Sequence, residues 1–84
     1  MAFTGVSTQQ KVTWMRSLSE RIDMARRHTA AGLIIIERQR AVIDRRRNLG
    51  EDVSSAEELL ARFEQSQTIF EDDLDRLLRD KNKQ

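Results

Sequence analysis

The sequence predicts an all-α protein, an antiparallel two-helix hairpin with a long first helix. Three observations carry this. The 84 residues include no proline, and glycine occurs only at positions 5, 32 and 50, a composition that suits long helices and leaves few sites for strand turns. Apolar residues recur at alternating spacings of three and four on both sides of one break, which keeps them on one helix face. The break, Asn48-Leu49-Gly50-Glu51-Asp52-Val53-Ser54-Ser55, separates a basic segment from an acidic one.

Residues 1–8 show no periodicity and are expected to form a flexible N-terminus. Ser7-Thr8-Gln9-Gln10 has the S-x-x-Q form of a capping box, in which a hydroxyl and an amide side chain satisfy each other's backbone N–H groups. The first helix is expected over about 9–48. Its apolar row is Met15, Leu18, Ile22, Ala25, Thr29, Gly32, Ile36, Gln39 and Ile43. Gly32 costs about 1 kcal/mol against alanine inside a helix, and marks a kink, a notch for a facing side chain, or simple tolerance. Arg45, Arg46 and Arg47 fill the last turn, where exposed carbonyls favour positive charge.

The turn is expected over 49–52. Gly50 suits the left-handed residue that ends a helix, and Asp52 or Ser54 can cap the next one. The second helix is expected over about 53–80, closing a single domain of 9–80, with a polar tail at 81–84. Ala56, Leu60, Phe63, Gln67, Phe70, Leu74 and Leu77 follow a strict four-three alternation, a coiled-coil seam.

A short loop makes the helices antiparallel neighbours. Counting outward from Gly50 sets Val42 and Ile43 against Leu59 and Leu60, Ile35 and Ile36 near Phe63, Gly32 near Phe70, and Ile22 and Ala25 near Leu74, Leu77 and Leu78. Charge agrees. Residues 1–50 carry ten Lys/Arg and four Asp/Glu, residues 51–84 five and ten, so the two arms attract.

One seam does not use all the apolar residues. Leu33-Ile34-Ile35-Ile36 runs right round a helix, and one partner cannot cover it. A chain this small adds disulfides, a metal or a partner chain to its core. There is no cysteine and only one histidine, so association is the device left. Homodimerisation into a four-helix bundle is therefore expected, with Trp14, Leu18, Ile34, Ile35, Val42, Leu49, Leu59 and Ile69 as candidate oligomer or partner-protein contacts. Trp14, on an overhanging N-terminal face with Val12 and Met15, suits a membrane surface, a partner protein or the dimer core, the last being favoured.

No catalytic, cofactor or metal site emerges. His28 is the one side chain whose unperturbed pKa lies near neutrality, and its expected neighbours are Glu71, Asp72 and Asp73, but no nucleophile or concave pocket accompanies it. Glu71-Asp72-Asp73-x-Asp75 fans out around a helix instead of converging on a cation. Arg38, Arg40, Arg45, Arg46 and Arg47 form the strongest basic patch and support the alternative reading, a nucleic-acid-binding accessory protein. No aromatic is interleaved for base stacking, and Glu37 and Asp44 interrupt the run. No apolar run approaches a membrane span, and no secretory signal is evident at the start. The expected location is cytoplasmic.

Ile36-x-x-Gln39-x-x-x-Ile43, Gly50-x-Asp52, Ala56-x-x-Leu59-Leu60-x-x-Phe63-Glu64 and Asp75-x-Leu77-Leu78 resemble a group of small uncharacterised bacterial helical-hairpin proteins. The resemblance covers residues from about His28 to Leu78. It implies a two-helix hairpin and carries no activity with it. Residues 1–27 lie outside it. The sequence thus reads as a small non-enzymatic interaction or regulatory module acting through self-association.

Overall fold

The structure is a computed structural model that describes residues 17–83. It is two α-helices laid side by side: α1, Leu18–Asn48, and α2, Ser54–Asn82. No strand occurs among the described residues.

The first helix starts later than its apolar period suggests. Ser17 has an extended backbone, with φ −62° and ψ 155°, and its Oγ accepts the Glu20 N–H at 3.1 Å. A serine followed three residues on by glutamate is an N-terminal signature, so local capping sets the boundary. The expected cap at Ser7 and the face around Trp14 lie outside the described residues. The other end is closed by a Schellman motif. The Gly50 N–H donates to the Arg47 carbonyl, and the Glu51 N–H to that of Arg46, both at 3.0 Å. This bonding needs a left-handed residue after the cap, and Gly50 supplies it at φ 77°.

The start of α2 is held from outside the helix. Asp52 Oδ1 accepts from the Ser54 hydroxyl at 2.6 Å and from the Ser54 N–H at 2.9 Å. The Ser54 bonds, the hydroxyl first, hold the Asp52 carboxyl below its ordinary pKa. At the far end α2 runs to Asn82, two residues beyond expectation, with Arg79 and Lys81 in its last turn, charges that suit the negative helix end.

The seam lies between the helices as the register requires. Ile22, Ala25, Ile36 and Ile43 are buried on α1, and Ala56, Gln67 and Leu77 on α2. At the open end Ile22, Ala25 and Leu77 form a cluster joined by Leu18, Leu74 and Leu78. Leu18, a candidate outward contact from the sequence, is thus part of the hairpin's own core. The core is thin. No large side chain among the described residues falls below 2% exposure, and each buried isoleucine or leucine contributes only about 1.5–3 kcal/mol.

Gly32 does not break α1, which is one helix throughout. It forms a notch. A Cβ at position 32 would overlap Gln67 Oε1 and lie 3.5 Å from Phe70 Cδ2. Phe70 does lie beside the glycine, as the register predicts, but Gln67 fills the notch.

Candidate functional site

The two helices leave the hairpin with two unlike flanks. On α1 the row Leu33, Arg40 and Arg47 borders the seam on one side, and the row His28, Ile35, Val42 and Leu49 on the other, since residues seven apart stack along one helix line.

The first flank is charged. Arg40 lies 3.6 Å from Glu64, and Arg47 lies 3.4 Å from Glu57, with Asp44 at 3.9 Å on its other side. These residues, with Ile43 and Leu60, line a shallow groove. The pairs are more than half exposed or close to it, so each contributes modestly, within about 1 kcal/mol. Their larger effect is on the arginine patch. Of the five arginines marked by the sequence, Arg40 and Arg47 are engaged by α2. The side chains of Arg38, Arg45 and Arg46 make no ion pair among the described residues.

The second flank carries apolar side chains. Ile35 is 43% exposed and Leu59 is 40% exposed, with Val42 half-buried between the two levels. Leu49, at the turn, is 70% exposed. In the seam's register Val42 comes nearly level with Leu59, so these residues share the turn half of this flank. Ile34 points away from the seam at 49% exposed, and Ile69 is 66% exposed near the middle of α2. The open-end part of this flank is mixed: Arg21, His28 and Asp73 border a second groove with Met24, Ala25 and Leu77.

His28 is not hydrogen-bonded to a carboxylate. Its ring tilts against Phe70, centroid to centroid 5.8 Å at 44°, and Asp73 is bonded to Arg76. Glu71, Asp72 and Asp73 do not converge, and no group of three ligating residues suited to a metal ion occurs among the described residues. No described helix is long and apolar enough to cross a membrane.

The apolar rows place Gln39 and Gln67 in the seam, but spacing alone names no partner for either amide. The Gln39 amide donates to the Ala56 carbonyl at 2.9 Å, and the Gln67 amide to the Thr29 carbonyl at 2.9 Å. Gln67 is only 4% exposed, and its Oε1 has no conventional hydrogen-bond partner. It rests on the bare Cα of Gly32, where a weak Cα–H···O contact is the interaction open to it. A glutamine at a seam position opposite a glycine was the available signal.

No protein-family model, curated protein or solved structure matches the chain.

Proposed function

We propose that this protein is a small non-enzymatic interaction or regulatory module that acts through self-association, as a homodimer forming a four-helix bundle. The observation that carries the reading is the apolar flank at Ile35, Val42, Leu49 and Leu59, left open by a hairpin whose own core is thin. Exposed apolar residues grouped on one flank mark a contact surface more often than bare exterior. Covering it with a second copy supplies the burial that a chain of this size lacks.

Sedimentation equilibrium tests the proposal. A dimer at micromolar concentration is expected, and a monomer under those conditions rejects it. The rival reading, phosphate binding by Arg38, Arg45 and Arg46, draws on their lack of ion pairs within the hairpin. It requires an affinity for DNA that falls steeply with added salt, and absence of binding at low ionic strength removes it.

A further inference from the structure

We infer that two copies dock through the Ile35–Leu59 flank with their turns at the same end, so that α1 of each copy lies against α2 of the other. The inference rests on the self-association proposed above and adds the face, the relative direction and the partner helix.

Face-to-face docking of two hairpins about a two-fold axis has two forms. With the axis across the helices, α1 lies on α1 of the partner copy and the turns are at opposite ends. With the axis along the hairpin, α1 lies on α2 of the partner copy and the turns are together. Two independent observations choose the second.

The first is charge. Over its described length α1 carries eight arginines against four acidic residues, and α2 carries four basic residues against eight acidic. Like-with-like docking sets +4 against +4. Same-end docking gives every α1 two acidic neighbours, its own α2 and the other copy's.

The second is position. The exposed apolar residues of this flank lie between Ile35 and the turn, while the open-end half carries Arg21, His28 and Asp73. Same-end docking superposes the two apolar halves. Opposite-end docking sets each against the other copy's mixed half, where Arg21 and His28 would lose water beside apolar side chains.

Size is adequate as well. A face about 45 Å long and two helices wide offers roughly 800 Å² per copy, the area that a standard stable interface takes from each partner.

The chain has no cysteine, so a single introduced thiol can be labelled alone. A spin label on Glu51→Cys, at the exposed turn, reports the distance between turns in the dimer by pulsed electron resonance. A distance under about 30 Å is expected from packed neighbouring helices. About 45 Å or more, one helix length, overturns the same-end arrangement while leaving self-association intact. The face is tested by Ile35→Asp and Leu59→Asp, each expected to weaken dimerisation at least tenfold, against Leu33→Asp on the charged flank, expected to leave it within twofold. The reverse pattern overturns the assignment of the face. A wild-type chain that is monomeric overturns the self-association reading itself. Circular dichroism at high concentration checks that each variant remains helical.

Discussion

Gln67 occupies the space that a side chain on residue 32 would need. Its Oε1 lies over the Gly32 Cα, and its amide is bonded to the Thr29 carbonyl one turn away. The glycine is thus the complement of a buried glutamine on the facing helix. Thr29 adds to the same layer by donating its hydroxyl to the Ala25 carbonyl at 2.8 Å.

This coupling gives a change of sign. Helix propensity alone favours Gly32→Ala by about 1 kcal/mol. The new methyl displaces the Gln67 amide and forfeits its hydrogen bond to Thr29, a loss of about 0.5–1.5 kcal/mol, with the displaced polar group left poorly paired at a further cost of about 1–3 kcal/mol. Gly32→Ala is expected to lower stability by about 0.5–3.5 kcal/mol. In a Gln67→Ala background the same change is expected to raise it by about 0.5–1 kcal/mol. Urea denaturation of the four proteins measures the cycle.

Leu77 anchors the open end against Ile22 and Ala25. Leu77→Ala is expected to cost about 2–5 kcal/mol, the range for emptying a buried leucine site. Hydrogen exchange should show the loss first in 18–28 and 71–82, with the amides beside the turn retaining more protection.

Gly50 has nothing within 4 Å of the place where a Cβ would stand. Its substitution therefore acts through backbone conformation alone. Gly50→Ala is expected to cost about 1–2 kcal/mol for holding an L-residue at positive φ, Gly50→Asn less, and Gly50→Val more because of its branched side chain. Melting temperatures in that order would confirm the pivot, and an unchanged Gly50→Val protein would refute it.

Asp52 gives a pH signature. Its folded pKa lies below the ordinary aspartate value because Ser54 donates two hydrogen bonds to the carboxylate. The folded chain therefore prefers the ionised form. The stabilisation is complete above the unfolded pKa, about 4, and is lost as pH falls through the lower folded value. Asp52→Asn should show a shallower loss of stability below about pH 4 than the wild type, with chemical denaturation at several pH values as the readout.

The hairpin was legible in the sequence because its seam repeats and its stop signal is local. Ile22, Ile36, Ile43 and Leu77 announce themselves by spacing, and Gly50 by its place after three arginines. The start of α1 was harder to see. An apolar row continues back through Met15, and the Ser17–Glu20 signature lies within that row, so periodicity hid the cap. The glutamines were hidden for a different reason. A seam is recognised by its apolar members, and a polar residue within it reads as a gap until the facing residue is known. The second flank was visible only in outline. Seven-residue spacing puts Ile35, Val42 and Leu49 in one row and Leu59 beside the α2 seam, but that the row and Leu59 share a flank follows from how α1 is rotated against α2.

The pairing of Ile22 with Leu77 and of Gly32 with Gln67 shares one arithmetic: both pairs are centred on the same point in the turn. Length changes in this chain are therefore quantised. A residue added between Glu51 and Asp52 lengthens the loop and leaves the Gly50 bonds and the Asp52–Ser54 bonds in place. A residue deleted from the middle of α2 rotates everything beyond it by about 100° and carries the remaining seam out of the interface. Removing seven residues from each helix restores the phase. A shortened but correctly paired hairpin is the expected product, so the molecule can change length only in whole repeats taken from both arms together.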